Sequence, residues 1–260
     1  MDVKIKTRAL VVLSGGQDST TCLFIAKHMF DEVHAITFDY GQRHAIEIDS
    51  ACKVAKMADV ASHEIIDVRN MLVSSSPLTS DAILEQYENA EQMEHVIGTR
   101  IEKTFVPMRN MLFLTIAMNR AVAREIPCVI TGICQADNAN YPDCTEVFRD
   151  GFQAAANFAL GTAGVNPTDD HFRILTPLMT LTKAQTAAVA YTMPDCWEAL
   201  AYSHTSYDGK YPPTDMNHAN VLRAKGFEDA GLPDPLVLRA IREGLMAMPS
   251  TRNYDGTRSA

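Results

Sequence analysis

No Cys-x-x-Cys pair occurs anywhere in the sequence, and the six cysteines (Cys22, Cys52, Cys128, Cys134, Cys144 and Cys196) are scattered. An even count invites a disulfide framework, but such frameworks belong to small secreted domains, so reduced thiols are expected. No stretch approaches the ~18 uncharged apolar residues that a membrane span needs. The basic start "MDVKIKTRAL" leads into an apolar run that breaks after a few positions at "SGGQDS", so no secretory signal is read and a cytoplasmic protein is expected. Lys and Arg form no block and the net charge is −9, which argues against a protein that grips a nucleic-acid backbone along a groove. His28, His34, His63 and His95 show no metal-binding spacing. The Walker A pattern GxxxxGK[ST] is absent as well.

What is present is ordinary globular composition, with 47 % hydrophobic and 21 % charged residues. At 260 residues the chain fits one large domain, or one domain with an appendage. "RALVVL" (8–13) is a short buried-strand pattern, and "TTCLFIAKHMF" follows with helical spacing. "EVHAITF" reads as a second strand, "AIEIDSACKVAKMA" as a second helix and "SHEIIDV" as a third strand. Strand–helix alternation of this kind predicts an α/β fold with a right-handed, doubly wound parallel sheet.

Residues 69–104 show little period and are read as one long connection, a length that in α/β folds often serves as a lid. Helix returns at "NMLFLTIAMNRAVARE" and again at "TEVFRDGFQAAANFAL". "CVITG" and "FRILTP" bring the count to about five strands. "TKAQ" opens a further helix with a capping box between Thr182 and Gln185. Beyond about residue 196 the period fades until "DPLVLRAIREGLMAM", a C-terminal helix. The division expected is a nucleotide-binding domain over 1–200 and a helical C-terminal extension over 201–260, packed on the same domain.

The chemistry is carried by "VVLSGGQDSTT", where a strand hands over to a helix. Gly15 and Gly16 permit a tight turn and close approach of a ligand. Ser14, Ser19 and Thr20 add hydroxyls, and the helix that follows offers free N–H groups and its positive end to an anion. A glycine pair alone fits any tight turn; Ser-Gly-Gly-x-Asp-Ser as a unit is far more specific.

That unit resembles the PP-loop of the ATP pyrophosphatases (the adenine nucleotide alpha hydrolase-like fold). The resemblance implies a loop that cradles pyrophosphate while a substrate oxygen attacks the α-phosphorus, with Asp18 helping to hold Mg²⁺. "FDYGQRH", "FVPMRN", "TGICQADNANYPDC" and "TPLMTLTKAQT" follow in order. Together these motifs resemble the 7-cyano-7-deazaguanine (preQ0) synthase family over roughly residues 8–230.

The family implies a carbon–nitrogen ligase acting in queuosine biosynthesis. The carboxylate of 7-carboxy-7-deazaguanine is adenylated by ATP and captured by ammonia as the amide; a second ATP activates the amide oxygen, and loss of AMP leaves the nitrile. Carried over onto this chain, the ATP-binding segment is Leu13, Ser14, Gly15, Gly16, Gln17, Asp18, Ser19, Thr20, Thr21, Cys22 and Leu23, joined by Phe38, Tyr40 and Arg43 for the adenine-ribose half. Arg43 has a plainer alternative as a solvated helix-start cation.

Arg109 and Lys183 join Ser14 and Asp18 as the catalytic set and are the candidates for contacting phosphates. Lys183 sits in the first turn of a helix, where the dipole disfavours a cation unless an anion lies at that end. Asp137 and Asp143 suit the N1–H and exocyclic amine of a guanine-like base, and Tyr141 could stack on it. Asp143 is also placed to cap the helix entered at Thr145.

The chain departs from the family's pattern in two places. The family carries four zinc-binding cysteines near its C-terminus, and here the matching positions are Ser206, Thr214, Asn217 and Asn220. Hydroxyls and amides are poor zinc ligands, so a zinc-free protein is expected, held by hydrogen bonds to the same loop. A substitute site of His204, Asp215 and His218 is the alternative. Met108 stands where the family usually has glycine, which predicts strain if φ is positive there and a reshaped substrate pocket.

The reading is therefore an ATP-dependent preQ0 synthase working on a free base, with no nucleic-acid or membrane partner. The resemblance also implies a homodimer. A ligase that stops at the amide or passes the acyl group to another acceptor is the second reading. A silent sensor of ATP or a deazaguanine is the third.

Overall fold

A computed structural model describes residues 7–41, 46–80, 83–135, 140–162 and 171–257. Strand and helix alternate through β1 (Arg8–Val12), α1 (Gln17–Met29), β2 (Glu32–Asp39), α2 (Ile46–Met57) and β3 (Ser62–Asp67). The alternation resumes with α4 (Arg109–Ala123), β4 (Cys128–Ile130), α5 (Glu146–Ala159) and β5 (Arg173–Leu175). All four strand pairings are parallel, in the order β3-β2-β1-β4-β5. This is the doubly wound α/β sheet expected, and the strand order reverses between β1 and β4, where such sheets open a crevice.

β1 shows why both faces must be covered. Ala9 and Val11 point to one side and pack with Leu23 of α1, Val54 of α2 and Leu200. Leu10 points to the other and packs with Leu114 of α4 and Phe152 of α5. Period-2 alternation therefore buries two layers at once, and no side of the strand is left for polar residues.

Sequence periodicity misses three helices, and one of them, α8 (His218–Asp229), walls the crevice. The 69–104 connection contains α3 (Ala90–Ile97), capped by Asn89, whose side chain accepts from the Gln92 N–H at 2.9 Å. Only Met93 and Ile97 are buried in this otherwise acidic helix, against Tyr87 and Val221. After α6 (Lys183–Tyr191), whose capping box is present as predicted, come α7 (Pro194–Leu200) and α8 (His218–Asp229). α7 begins at Pro194, a residue whose fixed φ suits the first helical position.

α8 buries His218, Val221, Arg223, Gly226 and Phe227 and so shows no simple apolar stripe. It lies against α6 and α3, while α9 (Pro235–Arg242) lies against α7. A bidentate ion pair ties this segment down. Arg223 Nε and Nη2 donate to Asp234 at 2.6 and 2.9 Å, with both residues nearly inaccessible. All six cysteines are free thiols. Among the described residues no helix is long and apolar enough to cross a membrane.

Candidate active site

A cavity of about 330 Å³ opens at the carboxyl ends of β1, β2 and β4, within the size range of small-molecule sites. The loop after β1 forms its floor. Gly15 has φ +82°, and a Cβ there would come within 2.5 Å of the Glu47 carbonyl oxygen and 2.6 Å of the Ala51 nitrogen, so α2 sits directly on the loop. Gly132, after β4, closes from the other side: a Cβ would lie 3.0 Å from the Ser19 nitrogen. The Ser14 and Ser19 hydroxyls are 3.0 Å apart, and Ser14 Oγ accepts the Gly16 N–H at 3.3 Å. Leu13, Ser14, Gly16, Gln17, Asp18 and Ser19 line the cavity. Thr20, Thr21, Cys22 and Leu23 do not: they are buried in the helix beneath, where Thr21 Oγ1 donates to the Gln17 carbonyl and the Cys22 thiol to that of Thr131. Their role in the fold is to support the loop.

Asp18 and Lys183, separated by 165 positions, meet in an ion pair of 2.6 Å. The carboxylate thus supplies the anion that a lysine in the first turn of α6 calls for. Gly226 of α8 makes the packing feasible, since a Cβ there would fall 2.5 Å from Lys183 Cβ. Asp18 Oδ1, the Gln17 amide and the Thr20 hydroxyl are buried without a hydrogen-bond partner among the described residues. An orphaned carboxylate oxygen in a cavity that two serine hydroxyls also line fits a hard cation that takes oxygen ligands, such as Mg²⁺.

The second wall is aromatic and carries one cation. Phe38 stacks on Phe113 at 4.3 Å, and Tyr40 tilts against the same ring at 5.5 Å. The Arg109 guanidinium lies 5.7 Å from the centre of the Tyr40 ring. Burial works against the Arg109 charge, yet Tyr40, Tyr141, Tyr207 and Asp143 around it raise its pKa above the ordinary value. Glu47, which the sequence did not single out, faces Arg109 from α2; burial pushes its carboxyl up to about 7 against the pull of that cation. Arg43 and Asp137 lie outside the described residues.

Met108 adopts φ 65° at the N-terminus of α4, so the strain expected for a non-glycine residue there is present. The expected reshaping of the pocket is not. Met108 is 60 % exposed and absent from the cavity lining, because the left-handed turn carries its side chain outward.

Tyr141 is buried at the third wall, its hydroxyl sharing a hydrogen bond with Thr104 Oγ1, which also contacts the Glu102 carboxylate. Tyr87 donates to the same carboxylate at 3.3 Å, so the 69–104 connection is clamped onto the site through one buried acid. Asp143 is buried in a 3₁₀ turn (Pro142–Cys144), and burial raises its pKa although Arg109 opposes the rise. It does not cap α5. Thr145 does so with its own hydroxyl, accepting from Phe148 at 3.2 Å, because Thr145 already occupies the last extended position before the helix. Asn110, next to Arg109, donates to the Asp143 carbonyl at 3.1 Å and fixes the turn against α4.

The C-terminal region supplies the fourth wall through His204, Tyr207, His218 and Arg223. Of the four positions matched to cysteines, Ser206, Asn217 and Asn220 converge, and what they converge on is the Asp215 carboxylate. Ser206 Oγ also lies 2.7 Å from Asp208 Oδ1, so its single hydrogen is shared between two carboxylates, and Asn217 caps α8 by accepting the Asn220 N–H at 3.1 Å. Thr214 stands apart and exposed.

Hydroxyl and amide donors around a carboxylate do not fit zinc, which takes thiolate, imidazole and carboxylate ligands. His204 points Nε2 at the Ser206 carbonyl, 2.7 Å away, and burial lowers the pKa of both His204 and His218. Among the described residues no group of three or more His, Cys, Asp or Glu side chains is placed to hold a metal ion.

The cavity therefore joins a glycine-turned loop at a helix start, a loop-facing lysine and carboxylate, and an aromatic wall with Arg109 and Glu47. The family model described as queuosine biosynthesis protein QueC matches residues 8–231. A 7-cyano-7-deazaguanine synthase from Gloeobacter violaceus is 46 % identical over 231 residues, covering 88 % of this chain and 95 % of that one. Proteins of the same name from Laribacter hongkongensis and Chromobacterium violaceum are 44 % and 40 % identical, covering 89 % and 91 % of this chain and 94 % and 95 % of theirs. Among solved structures, an NH3-dependent NAD synthetase from Campylobacter jejuni is similar at TM-score 0.41 and 16 % identity, covering 94 % of this chain and 77 % of that one. A likeness that loose says nothing about what this chain binds. On the family match and the three relatives, spanning loop, aromatic wall and rebuilt C-terminal region alike, the chain belongs to the QueC family.

Proposed function

We propose that this chain converts 7-carboxy-7-deazaguanine and ammonia to 7-cyano-7-deazaguanine, consuming two ATP and releasing AMP and diphosphate twice. The observation that carries the reading is the placement of the Asp18–Lys183 pair and of Arg109 on walls of one cavity. Nucleotide and acid substrate can then meet without either leaving its own recognition surface.

The loop N–H groups and the start of α1 take the β- and γ-phosphates. Asp18, with its free oxygen, holds Mg²⁺, which neutralises phosphate charge when bound. Lys183 sits beside Asp18 and stabilises the departing diphosphate. Phe38, Phe113 and Tyr40 offer flat surfaces for the adenine. Arg109, ringed by tyrosines, suits a fork-like grip on the substrate carboxylate and orients one oxygen toward the α-phosphorus. Asp143, with Tyr141 beside it, accepts from the guanine-like edge.

In the first stage a carboxylate oxygen forms the bond to phosphorus as diphosphate leaves; nitrogen then bonds to carbon as AMP leaves. In the second stage the amide oxygen attacks a second ATP, and the carbon–oxygen bond breaks with AMP to leave the nitrile. The bare base is the substrate, in keeping with an acidic chain.

The outward turn of Met108 removes one of the two sequence-based grounds for a reaction that stops at the amide, the altered C-terminal loop being the other. The experiment is mass spectrometry of products from purified protein with 7-carboxy-7-deazaguanine, ammonium, Mg²⁺ and ATP, with metal content assayed on the same sample. Nitrile and AMP are expected from zinc-free protein. Amide alone, or AMP without nitrile, refutes the reading.

A further inference from the structure

The proposed conversion sets a proton problem that the residues named so far leave unsolved. Ammonium carries four hydrogens on nitrogen and a nitrile carries none, so every one must leave during the two stages. Lys183 is paired with Asp18, and Arg109 is a permanent cation. His204 has Nε2 on the Ser206 carbonyl, and burial holds His218 at about 4, too weak a base to take protons near neutrality.

Glu47 differs from all of these. It lies in the first turn of α2, anchored by the contact of its own carbonyl with Gly15, and its side chain lines the cavity. Among the described residues, the charged and titratable groups that face it are Arg109 from α4, Tyr40 from the end of β2 and Tyr207 from the loop before α8. It is thus placed opposite the cation assigned above to the substrate carboxylate, which becomes the carbon that nitrogen attacks.

Resting on that reading, we propose that Glu47 is the general base that strips hydrogens from the substrate nitrogen in both stages. In the first stage ammonium gives one proton to water, the resulting ammonia adds to the acyl adenylate, and the Glu47 carboxylate takes a proton from the positively charged nitrogen of the adduct. The carbon–oxygen bond then breaks, and AMP leaves with its electron pair. In the second stage attack by the amide oxygen displaces diphosphate and leaves a positively charged nitrogen with two hydrogens; Glu47 takes one and returns it to water, then takes the last N–H proton of the imidoyl adenylate. The freed electron pair forms the third carbon–nitrogen bond as the bond to AMP breaks. Between stages the carboxylic acid returns its proton to water. Its position near neutrality, set by burial against Arg109, suits a base that must both accept and release at working pH.

The test is Glu47→Gln, which keeps the shape and removes the base. Three rates are measured in wild type and variant: carboxylate-dependent exchange of labelled diphosphate into ATP, formation of amide, and formation of nitrile. Exchange involves no nitrogen and is expected to stay within about threefold of wild type, whereas amide and nitrile rates fall by about 10²–10⁴-fold. The rising limb of the wild-type pH–rate profile near 7 is expected to disappear in the variant, and Glu47→Asp to restore part of the rate. Nitrile formation within about threefold of wild type in Glu47→Gln, or exchange falling in parallel with it, overturns the assignment. Wild-type protein that shows no exchange overturns the proposed function beneath it, so the two failures are distinct.

Discussion

Asp215→Asn tests whether a carboxylate holds together the loop that the family resemblance assigns to zinc. The Asp215 side chain accepts from Ser206 Oγ and Asn220 Nδ2 at one oxygen and from Asn217 Nδ2 at the other. An amide of the same shape has one oxygen left for three donors. Whichever way it turns, its NH₂ faces at least one of them, so one or two bonds are lost. Hydrogen bonds to a charged group contribute about 1.5–3 kcal/mol each, and the partial exposure of Asp215 and Asn220 favours the low end, giving a loss of about 2–4 kcal/mol. For a chain of this size that corresponds to a fall in Tm of roughly 5–15 °C.

Urea denaturation of wild type and variant measures it, with hydrogen exchange at His204–Tyr207 and the start of α8 expected to quicken most. Thr214→Ala is the control. Thr214 is exposed and outside the knot, so its removal should stay within about 0.5 kcal/mol. An Asp215→Asn protein as stable as wild type, to within about 0.5 kcal/mol, refutes the view that this carboxylate organises the loop.

Other perturbations separate local rules that pull in opposite directions. Met108→Gly relieves a left-handed φ at an exposed position, a gain of about 1–2 kcal/mol offset by about 0.5–1 kcal/mol of unfolded-chain entropy, so denaturation should show a small net stabilisation. Helix propensity alone would make Gly226→Ala stabilising by about 1 kcal/mol; the 2.5 Å approach to Lys183 Cβ predicts instead a loss of about 1–3 kcal/mol and weaker ATP binding by calorimetry. A more stable Gly226→Ala protein would refute that packing. Glu47 is raised from 4.5 to about 7 on folding, so the folded state binds the extra proton. The resulting stabilisation is complete below pH 4.5 and lost as pH rises through about 7. The difference in unfolding free energy between wild type and Glu47→Gln should fall across that window, and a flat difference contradicts it.

Legibility in the sequence followed the range of the interaction. The strands and α1, α2, α4 and α5 were readable because their periodicity is local: Leu10 and Val11 already declare two buried faces. The loop was readable because strand end, glycines and helix start are consecutive. α3 and α8 were not, since each buries a few residues against the other and neither pattern means anything without its partner. Glu47 escaped because a glutamate at a helix start is ordinary; only the seating of α2 on Gly15 turns it into the cavity. Asp215 escaped for the opposite reason. The eye went to the positions where cysteines were missing, and the residue that gathers three of them lies between two of those positions.

That arrangement bears on what the positions matched to cysteines do in this chain. The knot at Asp215 joins two parts of the fourth cavity wall, Tyr207 following Ser206 on one side and His218 following Asn217 on the other. Arg223, one turn further along α8, reaches Ser203 at 2.9 Å and Asp234 in the same buried cluster. Any cross-link that holds Ser206 near Asn217 therefore sets the distance between Tyr207 and His218, and the chemistry is indifferent to whether that cross-link is a metal or a carboxylate. What the fold needs here is a distance, and a carboxylate gathering one hydroxyl and two amides supplies it.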